Sequence, residues 1–137
     1  MASEDRAPET FRPQWLPLAL GSLPYSDVGT AWQAILKRFP SVPSWPQVPR
    51  KSSLENMYVQ FSERFPGIVL RDNNVSVDRQ KSLDRDLERL YLAYLEDDLA
   101  YGNISPAYAA GLDALRKGAV SFEEPPLALK GQVTGPV

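Results

Sequence analysis

The residues of this chain that could do chemistry are carboxylates, hydroxyls, amides and basic groups, because its 137 residues include no cysteine and no histidine. A Ser-His-Asp triad, a histidine general base and zinc sites built from thiolates or imidazoles are therefore excluded within this sequence. Adjacent carboxylates occur at Asp97-Asp98 and Glu123-Glu124. Neighbours in sequence do not face each other on a helix, so neither pair suits general acid–base catalysis. The chain offers binding chemistry without a complete catalytic set.

Two arginines, Arg50 and Arg71, are candidates to hold substrate carboxylates, and ordinary surface positions are the competing interpretation. The other basic residues are interleaved with acidic ones, and the net charge is -2. No continuous positive surface for a phosphate backbone is therefore predicted, and nucleic acid is not expected as a partner.

The composition is that of a foldable globular chain, with 43% hydrophobic and 23% charged residues. No stretch approaches the roughly 20 apolar residues that a membrane span requires. The first ten residues lack the apolar core of a signal peptide. We therefore expect a cytoplasmic protein without a membrane partner.

The first half of the chain must position any site through one strand, one helix and one long loop. Residues 1–14 are polar and predict a flexible leader, and the apolar residues 16–20 predict a buried strand followed by a turn. Ser26 is the predicted N-cap of an amphipathic helix that runs to Phe39. Residues 39–49 hold four prolines and predict an extended loop.

Trp45 and Val48 lie in this proline-rich loop and allow two interpretations. They either pin the loop onto the body of the protein or take a direct part in a ligand pocket.

The second half of the chain predicts mostly helices, each with a recognisable beginning or end. The predicted elements are a helix from the Ser52 N-cap to Pro66-Gly67 with Leu54, Met57, Tyr58 and Phe61 on one face, a hairpin of residues 68–70 and 75–77, a long helix with an apolar stripe from Leu83 to Leu95 and a solvated charged side, a helix from Ser105-Pro106 to Gly118, and a strand at 127–134.

Three segments of the chain together resemble a known family. They are LGSLP at residues 20–24, the stretch from WPQ to ENMY at 45–58, and KGQVTGPV at 130–137. The first is similar to the Ile-Gly-Ser-Phe-Pro turn, and the last to the Thr-Gly-Pro-Val stretch, of the superfamily of uroporphyrinogen decarboxylase and cobalamin-independent methionine synthase. The middle segment resembles a bacterial subgroup of that superfamily, and the resemblance covers most of residues 16–137.

The fold that this resemblance implies is an α/β incomplete (β/α)8 TIM barrel, whose active site is built at the carboxyl ends of its strands. Residues 15–137 would be its N-terminal portion, with about the first two barrel strands and a long helical and hairpin insertion, truncated after the second strand. The insertion departs from the methionine synthases, and this departure leaves the substrate open.

The activity implied is methyl transfer from 5-methyltetrahydrofolate or a related folate-type donor to a thiol amino acid such as homocysteine, with this chain inactive alone. Family turn residues that hold the amino acid map onto Leu20, Gly21 and Ser22. A glycine lets the backbone approach a ligand, and a hydroxyl can donate to its carboxylate. The competing interpretation is that Gly21 only forms the turn. Gln132 and Thr134 would point into the barrel mouth or else form an ordinary strand end.

The family's zinc holds the thiol as a thiolate, and its histidine, cysteine and glutamate ligands come from later strands. The resemblance thus implies zinc in the full-length parent and no metal bound by this chain. Two other enzyme parents stay open, a corrinoid-linked methyltransferase and a decarboxylase of the porphyrin branch. A further alternative is a helical interaction module that binds a partner through an exposed surface of Trp15, Trp32, Trp45 and Tyr58.

Overall fold

The computed structural model describes residues 12, 14–71, 74–78, 80 and 82–133. These residues form a mixed α/β structure of four α-helices, one 3₁₀ helix and a two-stranded antiparallel sheet. The elements in chain order are α1 Val28–Arg38, the 3₁₀ helix Ser53–Glu55, α2 Met57–Gln60, β1 Ile68–Arg71, β2 Asn74–Val77, α3 Asp84–Leu95 and α4 Ala110–Ala119. Most of the leader predicted at residues 1–14 lies outside the described residues. Within the described part, no helix is both long and apolar enough to cross a membrane.

The predicted first helix is confirmed as α1, and its N-cap is Asp27 instead of Ser26. The Asp27 carboxylate accepts hydrogen bonds from the backbone N–H and the hydroxyl of Thr30, both at 2.7 Å. Aspartate is as good an N-cap as serine, and its charge also favours the positive end of the helix dipole. Trp32 and Ile35 form the buried face of α1, which packs against α4.

The core lies between α1, α4 and the proline-rich loop, and its buried members are Trp32, Ile35, Trp45 and Leu115. The interpretation that Trp45 and Val48 pin this loop is confirmed, because Trp45 is 8% exposed and Val48 is fully buried. The interaction surface predicted from four aromatic residues is wrong. Trp32 and Trp45 belong to the core, whereas Trp15 and Tyr58 are exposed.

The predicted second helix is broken at Asn56, whose backbone is extended. Ser52 caps the 3₁₀ helix through a hydrogen bond from the Leu54 N–H, and Asn56 caps α2 through one from the Tyr58 N–H. Met57 and Tyr58, which were predicted on the apolar face, are exposed, while Glu55 and Gln60 are buried. Sequence periodicity fails here because buried polar side chains occupy the inner face.

The β-hairpin is confirmed, with Ile68 opposite Val77 and Arg71 opposite Asn74. Asp72 and Asn73, which follow β1 and precede β2 in sequence, lie outside the described residues. Gly67 precedes β1 with a φ of +73°, a conformation that side-chain-bearing residues rarely adopt.

The two predicted buried strands are wrong for the described residues, since neither 16–20 nor 127–133 forms a strand. A single β-bridge at Ser22 follows the first segment, and a single β-bridge at Lys130 lies in the second. Leu18 and Leu20 are 43% and 81% exposed, and Leu127 and Leu129 are 67% and 47% exposed. A strand covered on both faces would hide these side chains. Residue 134, at the end of the second predicted strand, lies outside the described residues.

The two remaining predicted helices exist, with differences in burial and in starting point. In α3 the buried residue is Ala93, so the apolar stripe predicted to pack inward faces solvent for most of its length. In α4 the helix begins at Ala110 instead of following Ser105-Pro106 directly. A separate turn occupies the intervening residues and is closed by the hydrogen bond from the Ala109 N–H to the Ser105 carbonyl.

Candidate functional site

Three stretches of the chain are joined by two isolated parallel β-bridges. Ser22 in the first is bridged to Gln47 in the proline-rich loop, and Ser44 of that loop is bridged to Lys130 in the third. The proline-rich loop therefore lies between the two segments that were predicted as strands. Pro43 and Pro46 cannot donate backbone hydrogen bonds, which explains why the pairing stays limited to isolated bridges.

The parallel direction brings the carboxyl ends of the three segments to one edge. The Leu23 N–H donates to the Gln47 carbonyl at 2.8 Å, and the Lys130 N–H donates to the Pro43 carbonyl at 2.9 Å. Carboxyl ends of parallel strands are where ligands bind in barrels and in open α/β sheets. This edge is therefore the candidate functional site.

A small cavity of about 140 Å³ opens at this edge. It is lined by Leu20, Gly21 and Gln132, three of the five residues predicted to bind substrate. Gln132 is more than a hundred residues from Gly21 in sequence, so no local pattern predicts that they lie around one cavity. Gln47, Met57, Phe61 and Val133 complete the lining.

The two other predicted site residues do not line this cavity. Ser22 is exposed and forms the bridge to Gln47 beside it. Thr134 lies outside the described residues. Gly21 has a φ of +81°, so a turn alone is sufficient reason for glycine there, and no atom lies within 4 Å of where its Cβ would be.

Lys130 links the first and third segments and was not singled out by sequence reasoning. Its Nζ donates to the Ala19 carbonyl at 2.8 Å and to Gln132 Oε1 at 3.1 Å. Burial lowers the pKa of Lys130, because removal from water disfavours the charged ammonium. A strand pattern with a single lysine between Leu129 and Gly131 gave no signal that this side chain would turn inward.

The cavity-lining residue Gln47 is held by a chain of two hydrogen bonds that continues through Gln60. Gln47 Nε2 donates to Gln60 Oε1 at 3.0 Å, and Gln60 Nε2 donates to the Tyr108 carbonyl at 2.8 Å. Gln47 and Gln60 are only 3% and 1% exposed. Buried amides are costly unless they are hydrogen-bonded, so this chain fixes Gln47 in place at the cavity.

Two carboxylates accept hydrogen bonds from backbone N–H groups at the start of α4 and in the turn before it. The Glu55 Oε1 accepts from the Ala110 N–H at 2.6 Å, and the Glu63 Oε2 accepts from the Ser105 N–H at 2.7 Å. Glu55 is fully buried, and its Oε2 is buried without a hydrogen-bond partner in the described structure. Burial raises the pKa of Glu55, an effect partly opposed by the Ala110 N–H and by the charge of Lys51.

The two arginines predicted as candidate carboxylate ligands do not line the cavity. Arg50 donates to the Pro24 carbonyl at 3.5 Å, and Arg71 ends β1 at an exposed position. A larger open groove of about 500 Å³ contains Arg64 and Arg89 together with Asp86 and Asp98. Since acidic residues match its basic ones, this groove has no electrostatic preference for an anion.

The described residues do not fit a zinc ion. No group of three or more histidine, cysteine, aspartate or glutamate side chains in the described part of the chain could hold a metal. The chain as a whole contains neither histidine nor cysteine, the usual zinc ligands. The zinc implied by the family resemblance would therefore need ligands from outside these residues.

Comparison with known proteins adds no relative to this description. No family model matches the chain, and no curated protein or solved structure is similar enough to count as a match.

Proposed function

We propose that the cavity at the ends of the three parallel segments is part of the substrate-binding site of a methyltransferase related to cobalamin-independent methionine synthase. In this proposal it holds the amino-acid portion of a thiol substrate such as homocysteine. The chain forms part of an incomplete TIM barrel and supplies binding and orientation only. A folate-type methyl donor and the zinc would be held by residues that this chain does not contain.

The observation that carries the proposal is the meeting of Leu20, Gly21 and Gln132 around one cavity. These residues belong to two motifs, each of which resembles a different loop of the barrel family. In a barrel, such loops meet at the carboxyl ends of the strands. The two β-bridges are parallel, as the pairing of barrel strands also is. The middle segment of the resemblance contributes Gln47 and Met57 to the same cavity.

The chemistry of the lining suits the amino-acid portion of such a substrate. Gly21 leaves open space beside the backbone, and Gln132 supplies an amide held by Lys130. Met57 and Phe61 provide apolar contact for a short thioalkyl chain. These groups bind and orient a ligand, and none of them is placed to transfer a proton.

The proposal is tested by titrating the ¹⁵N-labelled chain with L-homocysteine and with its methylated product, L-methionine. We expect both to shift the resonances of Gly21, Ser22 and the Gln132 side-chain amide. Loss of one hydrogen bond in the Gln132→Ala variant should weaken binding about fivefold or more.

Gln33→Ala is the matched control, because Gln33 is exposed on α1 away from the cavity. It should leave affinity unchanged. Absence of shifts at Gly21 and Gln132 with either amino acid would reject the proposal. A porphyrin carboxylate that shifts Arg50 or Arg71 would favour the decarboxylase alternative instead.

The second candidate is a non-enzymatic interaction module, and α3 is the observation that favours it. Tyr91, Tyr94 and Leu95 are 61%, 78% and 59% exposed on this helix. Exposed apolar surface of this kind occurs at protein interaction sites. Sedimentation of the purified chain tests one form of this module, because a monomer at high concentration would reject self-association through α3.

A further inference from the structure

Two glutamines line the cavity, and the partner of each amide decides which end of it is free. At Gln132 the partner is the Lys130 ammonium, which donates to Oε1 at 3.1 Å. An ammonium can only donate, so the oxygen of Gln132 must face Lys130. The Nε2 of Gln132, with its two N–H donors, is therefore turned the other way.

Gln47 is oriented by a longer chain that ends on a carbonyl. The Tyr108 carbonyl can only accept, so the group that meets it at 2.8 Å must be Gln60 Nε2. Gln60 Oε1 then faces Gln47 and accepts from its Nε2 at 3.0 Å. Oε1 of Gln47 is then the end of this amide that Gln60 does not hold.

We infer that the cavity is polarised, with a donor presented by Gln132 and an acceptor presented by Gln47, and that it takes a small ligand whose head carries both an acceptor and a donor. Carboxamides and α-amino acids have such heads. Lys130 and Gln60 are positioning residues, because each acts on the ligand only by fixing the amide of its neighbour.

The size of the cavity and its remaining walls limit the rest of the ligand. The cavity has a volume of about 140 Å³ and opens to solvent, since Leu20 and Met57 in its lining are 81% and 40% exposed. Leu20, Met57 and Phe61 form apolar walls. The part of the ligand that enters the cavity is therefore short and apolar.

This inference rests on the proposed function only in that the same cavity holds a ligand, and it requires no methyl transfer. Its test uses two uncharged probes of nearly equal shape, pentanamide and 2-hexanone. The amide carries an acceptor and a donor, whereas the ketone replaces the donor NH2 with a methyl group. Affinities are read from the Gln47 and Gln132 side-chain resonances of the ¹⁵N-labelled full chain.

We expect the wild-type chain to bind pentanamide about tenfold more tightly than 2-hexanone, because the ketone has no N–H to donate to Gln47 Oε1. Gln47→Met removes the acceptor at nearly constant volume. This variant should bind the two probes with about equal affinity, and 2-hexanone should still bind.

Lys130→Met tests the positioning role. It should weaken both probes to a similar degree, retain the preference between them and move the Gln132 side-chain resonance in the free protein. Lys130→Arg keeps a donor at this position and should restore both the affinity and the resonance position.

Equal affinity for the two probes in the wild-type chain overturns the inference, as does failure of both to shift Gln47 and Gln132. The wild-type comparison decides the matter even if Gln47→Met does not fold. Preferential binding of pentanamide without any response to L-homocysteine would instead retain the polarised cavity and reject the methyltransferase proposal.

Discussion

The Glu55 carboxylate caps α4 from 55 residues away, accepting a hydrogen bond from the Ala110 N–H at 2.6 Å. Ala109, the residue at the N-cap position, has no polar side chain that could do this. A carboxylate at a helix N-terminus also interacts favourably with the helix dipole. Together with the contacts of Gln60 to Tyr108 and of Glu63 to Ser105, this bond ties the region below the cavity to the approach to α4.

The buried Glu55 should give the stability of the protein a distinctive pH dependence. Its folded-state pKa is raised above the ordinary value of 4.5. The folded protein therefore binds the proton more readily than the unfolded chain, so its contribution is greatest below that value and is lost as pH rises through the folded pKa. Glu55→Gln removes this titration. The stability of the wild type relative to Glu55→Gln should thus increase as pH falls from neutral towards 4.5.

Urea unfolding at several pH values measures this difference directly. The same exchange at the exposed Glu124 serves as the control, and its difference from wild type should vary less with pH. Parallel stability curves for wild type and Glu55→Gln across this range would contradict the assignment of Glu55 as a buried titrating group.

Gly111→Ala should destabilise the protein although alanine is the better helix former. An added Cβ at this position would overlap the Pro46 carbonyl oxygen, a backbone atom that cannot move aside alone. We expect a loss of about 2 kcal/mol or more in the free energy of unfolding from overpacking. Gly29→Ala in α1 is the matched control, because its Cβ would meet Asp27 Oδ1 at an ordinary 3.4 Å. Equal effects of the two substitutions would contradict the close approach of α4 to the proline-rich loop.

Gln60→Leu should cost about 2 to 3 kcal/mol in the free energy of unfolding. The substitution preserves approximate volume and leaves both Gln47 Nε2 and the Tyr108 carbonyl without their partner. Chemical denaturation measures the loss, and Gln33→Leu on the exposed side of α1 should change stability by no more than about 0.5 kcal/mol. A near-neutral Gln60→Leu would show that the amide chain is replaceable by apolar packing.

Leu95→Lys should leave folding intact and reduce the binding of hydrophobic dyes. Leu95 is 59% exposed on α3, so a charged side chain meets water there without burial. Ala93→Lys, at the buried position of the same helix, should lower the thermal unfolding temperature sharply because it buries an unpaired charge. Unfolding by both substitutions alike would show that the outer face of α3 is covered in solution.

Local patterns in the sequence are sufficient for α1 and the hairpin. In α1 the spacing of Trp32 and Ile35 selects the buried face, and a polar residue beside Val28 caps the helix. In the hairpin two apolar runs flank a short polar turn, so the pairing needs no distant partner. For the loop around Trp45, sequence allows two interpretations, and burial of Trp45 and Val48 agrees with the one in which they fix the loop on the body.

The failures occur where polar side chains are buried. Asn56 interrupts a helix that periodicity predicts, because Glu55 and Gln60 face inward to bind the backbone near α4. Hydrophobic periodicity carries no information on such pairings, since the partners lie about 50 residues apart. The opposite error occurs in α3, where an apolar stripe is present and the described structure supplies no surface to cover it.

The candidate site shows the same division. The sequence by itself determined which residue types were available, with Gly21 suited to a turn and neither histidine nor cysteine present for catalysis or metal binding. Only the tertiary structure placed Gln132 beside Leu20 and brought Gln47 between them, because parallel segments meet through nonlocal hydrogen bonds. It likewise decided the orientation of the two glutamine amides, since that depends on the Lys130 ammonium and the Tyr108 carbonyl, which contact them across the fold.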